Sequence, residues 1–422
     1  MTMPNDELTL RAALVMPIDR PPIQDGAVRL RGDQIVAVGR AAELGGPTHD
    51  LGHVILMPGF VNAHTHLELT ACQGRLAPAP FWVWVERLIE LRRRDHAERA
   101  DRAAIVEGAW QSLRAGVTCV GDVSRTGANV AALRGVPIRR VCFIELISGA
   151  MSPPADADQL AECVRAAASV TDPLERIGIS PHALYSVAWD DLCRVAALAG
   201  ERDLPVTMHA GETAEEIEWL RSGSGPVAVF VQRFGLPTAS APIRGGVMDL
   251  LHRARITGVR PLLIHMNYTN DEQLTLLAGS RCSVAYCPRT HAFFGHPPHR
   301  WREMQARGVN VCVGTDSLAS NSTLSVLDEL RLLHLLAPDV PAAVLLRMAT
   351  LDAARALGIA DACGSLTAGK QADIVAVSCE NGKDWSTGIG MFSPSARIEA
   401  VWVAGRNVVR NGTYIEPAEA SR

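Results

Sequence analysis

Six side chains stand out by chemical type and spacing. His64-Thr65-His66 sets two imidazoles two residues apart; on a strand, both rings then share one face and reach a single ion. His209 is followed three residues later by Glu212, His265 falls near the end of an apolar run, and Asp316 lies inside Gly314-Thr315-Asp316. Taken singly, each has a plain structural use: a satisfied strand-end histidine, a Thr-Asp helix cap, an acid in a helix first turn. Taken together, four histidines and an aspartate at the same end of four strands are hard to explain by packing. Three nitrogens and one carboxylate suit Zn²⁺, Fe²⁺ or Mn²⁺ with a position left open for water.

The elements that must hold these groups follow from the apolar pattern. Gly59–His66, Val117–Val123, Arg140–Ile147, Ile177–Leu184, Pro205–His209, Leu262–Met266, Cys282–Tyr286 and Val309–Gly314 read as strands, and their continuous apolar character suits burial on both faces. Helical patterns lie between them. Phe81, Trp84, Val85, Leu88 and Leu91 form one face, which assigns Trp84 to the core; Ala103–Leu113, Asp190–Leu198 and Leu324–Leu336 are similar. This alternation predicts an α/β fold, a (β/α)8 TIM barrel over 58–362, with reacting groups at the C-terminal strand ends. A doubly wound sheet is the alternative. Short strands at both ends of the chain predict a small β-sandwich domain built from 1–57 plus 363–422. Ala214–Arg260 is long for one connection and predicts a helical excursion over the barrel mouth.

Composition narrows the partners. Of 422 residues, 45 are acidic and 41 are Lys or Arg, a net charge of −4 with no basic stripe, so nucleic acid and anionic membrane are poor partners. No apolar run approaches the roughly 18 residues of a membrane span. The first ten residues carry Asp6 and Glu7 and lack a secretory pattern. The ten cysteines contain no CxxC pair, which fits reduced thiols in the cytoplasm. A small-molecule substrate is expected, and a homo-oligomer is compatible with the sequence. The basic residues are almost all Arg, with lysine only at Lys370 and Lys383.

Over essentially its whole length the sequence resembles the amidohydrolase superfamily. The motifs are Pro58-Gly59-Phe60-Val61-Asn62-Ala63-His64-Thr65-His66-Leu67-Glu68, His209-Ala210-Gly211-Glu212, Gly314-Thr315-Asp316-Ser317-Leu318-Ala319-Ser320-Asn321, and a tail from Gly364 to Ile374. The resemblance implies one divalent ion per chain, Zn²⁺ first and Fe²⁺ or Mn²⁺ next, held by His64, His66, His209 and Asp316. It places His265 beside the bound water, whose pKa such an ion can lower from about 15.7 towards 7. Many members bridge two ions with a carboxylated lysine. This barrel has no lysine, which leaves Glu145, near the end of the third strand, as the carboxylate for any bridge.

The His-x-x-Glu at His209 and Glu212 resembles the deaminase branch, including adenosine, S-adenosylhomocysteine and guanine types. Glu212 would then protonate a ring nitrogen and Asp316 would take the water's proton. His182 resembles a substrate-binding histidine after the fourth strand, and Glu68 is placed to bind an amine or hydroxyl. The loop Cys287–His296, with Arg289 and Phe293, and the run Ser317–Asn321 most resemble aminodeoxyfutalosine deaminases and their relatives. The expectation is a metal-dependent deaminase removing the 6-amino group of a 5′-modified adenine nucleoside. The alternatives are another heterocycle or a guanidine on the same fold, and an inactive barrel scaffold. The cytidine-deaminase pattern is excluded because Cys287-Pro288 reverses its order and no CxxC is present.

Overall fold

A computed structural model describes residues 7–94, 97–148, 161, 163, 165–236, 245–379 and 387–415. The N-terminal strands are β1 (Glu7–Val15), β2 (Ile23–Arg31), β3 (Gln34–Arg40), β4 (Thr48–Asp50) and β5 (Ile55–Pro58). The central strands are β6 (Phe60–Thr65), β7 (Val117–Ser124), β8 (Arg139–Leu146), β9 (Glu175–Pro181), β10 (Thr207–Ala210), β11 (Leu262–His265), β12 (Ser283–Tyr286) and β13 (Asn310–Val313). The C-terminal strands are β14 (Ile374–Ser378), β15 (Arg397–Val403), β16 (Arg406–Arg410) and β17 (Thr413–Tyr414).

The central strands are all parallel. β6 to β9 form one sheet in chain order and β10 to β13 form another. Single parallel bridges link their edges, Ile179 with Val206 and Thr65 with Asp316. Every residue of β6, β7 and β8 is buried, as the apolar runs require when both faces are covered. One apolar cluster draws Val61, Cys119, Val141, Leu262, Ala285 and Cys312 from six strands of both sheets.

The two chain ends share one sheet, in the order β17-β16-β15-β14-β5-β1-β2-β3 with β4 beside β1. The strands expected to form a β-sandwich lie along a single hydrogen-bonded path, in which β5 pairs directly with β14, from Ile55↔Val377 to Pro58↔Ile374. Alternation serves both faces. Ile55, Met57, Val375 and Val377 join the main core, while Leu56, Ile374 and Ala376 pack with Leu10, Leu30 and Trp402. At the start of β8, buried Arg139 donates from Nε to Asp373 Oδ2 at 2.6 Å and ties this sheet to the central strands.

The long connection after β10 is helical, with Ala214–Ser222, Pro226–Arg233 and Val247–Arg253. Among the described residues, no helix is long and apolar enough to cross a membrane.

Candidate active site

The reactive side chains converge because backbone groups hold the strand ends together. Gly314 has no Cβ, and one placed there would lie 2.9 Å from the Cβ and carbonyl oxygen of His64, so the end of β13 can close on β6. The N–H groups of Thr315 and Asp316 both donate to the His64 carbonyl at 3.1 Å. Asn62 accepts from the Thr315 N–H at 3.0 Å and donates to its hydroxyl at 2.7 Å, and Thr65 donates to the Asp316 carbonyl at 2.9 Å. Asp316 itself has a φ of +55°, strained for a residue with a side chain.

These contacts bring His64, His66, His209 and Asp316 together. His64 Nε2 lies 3.7 Å from Asp316 Oδ1, and His66 Nε2 faces His209 Nε2 at 3.4 Å. His209 donates from Nδ1 to the His182 carbonyl at 3.2 Å, which leaves its Nε2 lone pair aimed at His66. Both ring nitrogens of His64 are buried with no hydrogen-bond partner. Burial lowers the pKa of all three histidines and keeps them neutral, the state in which imidazole binds a metal. Orphaned, converging nitrogens beside a carboxylate fit a divalent cation. His64 with His66 and Asp316, and His64 with His209 and His265, each form a compact ligand cluster.

Glu212 and His265 stand beside that cluster, with His265 Nε2 3.2 Å from Glu212 Oε1. Burial raises the Glu212 pKa well above the carboxylate range, and the charge of Asp316 adds to this. Glu216 fixes the backbone that carries Glu212. It accepts from the N–H groups of Gly211 at 3.1 Å and Glu212 at 2.8 Å, while its own N–H donates to the Thr213 cap at 3.1 Å. Thr213-x-x-Glu216 is a capping-box spacing, a sequence signal for a role not assigned above.

A cavity opens over these groups, lined among others by Glu68, His182, Glu145, Trp84, Phe294 and Arg92. Glu68 accepts from Ser124 Oγ at 2.7 Å, and His182 Nδ1 meets Ser186 Oγ at 2.6 Å. Glu145 Oε1 is buried without a partner, and burial pushes its pKa up to about 8. Glu145, His182 and His209 form a further ligand cluster.

Two expected substrate contacts lie elsewhere. Arg289 turns away, donating to Asn321 Oδ1 at 2.9 Å and Ser322 Oγ at 2.6 Å. Phe293 faces a neighbouring groove with Gln73 and Ala319, while Phe294 lines the cavity. Their helix, Pro288–Phe294, turns consecutive side chains about 100° apart, so only one of the pair can face inward. Trp84 is buried in an apolar cluster, as its helical face requires, and also lines the cavity. Arg92 ends the stripe Phe81, Trp84, Val85, Leu88 on one helix face, a periodic signal that points it inward. The connection after β10 contributes Phe230 and Leu236 to the wall.

Fold and site together define a metal-dependent hydrolase. The chain belongs to the amidohydrolase family, whose profile matches residues 55–408. It is 29% identical over 398 residues to the 5-methylthioadenosine/S-adenosylhomocysteine deaminase of Moorella thermoacetica, covering 88% of this chain and 85% of that protein. Among solved structures, a Xanthomonas campestris adenosine deaminase with bound zinc superposes with a TM-score of 0.83 at 26% identity, covering 98% of this chain and 96% of that one. A Helicobacter pylori aminofutalosine deaminase in complex with methylthio-coformycin has the same fold. Its TM-score is 0.83 at 23% identity, over 95% of this chain and 100% of that one.

Proposed function

We propose that this chain is a hydrolytic deaminase that replaces the 6-amino group of a 5′-modified adenine nucleoside with oxygen and releases ammonia. The observation that carries the reading is the buried Glu212–His265 pair, 3.2 Å apart, beside a neutral cluster of three histidines and Asp316. The relatives named for adenosine-type substrates support the same branch.

His64, His66, His209 and Asp316 would hold one divalent ion, with Zn²⁺ the first choice because a structural neighbour binds zinc. When bound, such an ion activates water and polarises the reacting centre. The side chains do the rest. Glu212, kept protonated by burial, donates to the ring nitrogen next to C6 and makes that carbon electrophilic. Neutral His265, 3.2 Å from the Glu212 carboxyl, steadies the incoming oxygen. Water forms the C6–O bond, and Asp316 takes its proton. Asp316 passes that proton to the amino group, and breaking the C6–N bond expels ammonia. The new C6 hydroxyl returns its proton to Glu212, leaving a C6 carbonyl beside the protonated ring nitrogen. His182 orients the purine, Glu68 accepts from sugar hydroxyls, and Trp84 and Phe294 cover the 5′ group.

The unit that carries this chemistry spans 58–362, a closed eight-stranded barrel in our reading. The edge bridges and the apolar cluster shared by both sheets support it. Residues 1–57 and 363–422 form the second unit.

The test is ammonia release across a panel, with metal content measured in parallel. Adenosine derivatives with altered 5′ groups should react faster than adenine. If guanine, pterins or chlorotriazines react while every adenosine analogue stays inert, the substrate class is wrong.

A further inference from the structure

His265 leaves β11 through a strained backbone. Its φ is +72° and that of Met266 is +50°, a region that residues with side chains rarely adopt. The Met266 N–H is shared between the Ala210 carbonyl of β10 at 3.0 Å and the Ile264 carbonyl at 3.1 Å, the second closing a γ-turn around His265. With a positive central φ this is the rarer, strained form of that turn. The turn carries the His265 ring to Glu212. It also takes the His265 residue out of register with β12, which pairs with β11 only through Leu262, Leu263 and Ile264. Backbone of this kind persists only where its surroundings hold it in place.

The group that meets the freed carbonyl is His299, whose Nε2 lies 2.7 Å from His265 O. A carbonyl only accepts, so Nε2 carries the proton. Burial pushes the His299 pKa down to about 3, so the ring is neutral and this is its one N–H. Tyr286 stacks on the ring at 4.1 Å between centroids and 17° between planes. Pro297 and Pro298 stiffen the chain leading to it. His299 does not line the catalytic cavity.

We infer that His299 is a positioning residue for His265: its Nε2–H holds the His265 carbonyl, fixes the strained turn and so aims the His265 ring at Glu212. The kinetic part of this inference rests on the deaminase reading; the geometric part does not.

The experiment compares His299→Leu with His299→Gln in the metal-loaded enzyme. Leucine removes the donor, whereas glutamine keeps an N–H near the position of Nε2. His299→Leu should lower kcat about 10–100-fold with KM within about threefold and metal content unchanged. His299→Gln should recover most of that loss. In a His265→Ala background, His299→Leu should cost nothing further, because the ring it aims is gone. Should His299→Leu fail to fold, His299→Asn, whose shorter amide stops short of the carbonyl, takes its place. The ring ¹⁵N resonances of His265 should shift in the Leu variant and return in the Gln variant whatever substrate the enzyme uses. That readout separates failure of this inference from failure of the substrate assignment. Equal impairment in Leu and Gln, an unshifted His265 resonance, or a full additional loss in the His265→Ala background would overturn the inference.

Discussion

The two walls of the cavity are built in different ways. The reacting wall stands on the ends of β6, β10, β11 and β13, and backbone hydrogen bonds fix its side chains, as when Thr315 and Asp316 donate to His64. The facing wall is carried by the helices Phe81–Arg94 and Pro226–Arg233, with Phe294 from a third. There the contacts are aromatic edges, such as Trp84 with Phe294 at 5.1 Å. Strand ends hold their groups to fractions of an ångström, as chemistry requires. Aromatic packing on long connections holds shape more loosely, which suits a wall that only has to accept a substituent. Changes on the first wall should therefore alter kcat, and changes on the second should alter KM.

The largest effect tests the first wall at its acid. Glu212→Gln should lower kcat by about 10²–10⁴ or more while metal content stays near normal, since the proposed mechanism gives Glu212 the proton transfer and leaves it outside the four proposed ligands. Asp316→Asn should lose both activity and metal. If Glu212→Gln loses the metal and keeps its activity per bound ion, the two roles have been exchanged.

A smaller loss is expected one step back. Glu216 is buried and holds two successive N–H groups, the second being that of Glu212. Gln keeps the shape of the side chain but has one acceptor oxygen, so one N–H is orphaned. Glu216→Gln should lower kcat about 10-fold and destabilise the fold by about 1–3 kcal/mol, measured by urea unfolding. Loss of stability with kcat unchanged would mean that Glu216 caps its helix and nothing more.

The same division explains what can be read from sequence. The first wall is legible because strand period and a few polar residue types give away its geometry: His64 and His66 share a strand face, and His209, His265 and Asp316 close other apolar runs. The second wall depends on the rotation of short helices and the path of long connections, which no local period fixes. Phe293 and Phe294 are chemically identical, and only the turn of Pro288–Phe294 decides which faces inward. Arg289 resembles a substrate contact until its partners Asn321 and Ser322 are known. The terminal strands were readable as strands, but their union into one sheet depends on the β5–β14 pairing, a long-range contact.

The Phe pair offers a sharper test of the second wall. Phe294→Ala should raise KM for nucleosides with bulky 5′ groups about 3–10-fold, the range of one lost aromatic contact, with kcat little changed. Phe293→Ala should leave KM within about twofold. A kcat loss in Phe294→Ala as large as that in Glu216→Gln would dissolve the division between the walls.

The smallest expected effect concerns Glu145, which lines the cavity from β8. Its buried Oε1 has no partner, and burial, with the nearby charge of Glu68, raises its pKa from 4.5 to about 8. Between those values the folded protein keeps a proton that the unfolded chain has released. The folded state then binds more protons, so stability falls as pH rises through the window. Glu145→Gln has no proton to lose. Its melting temperature should match wild type at pH 5 and exceed it by a few degrees at pH 8.5. A cation seated among Glu145, His182 and His209 would reverse the sign, because it favours the carboxylate. Glu145→Gln would then melt below wild type at pH 8.5, and the metal content would fall from two ions per chain to one. The sign of a small shift in melting temperature thus decides between one metal and two, and with it whether Glu145 belongs to the reacting wall or the accepting one.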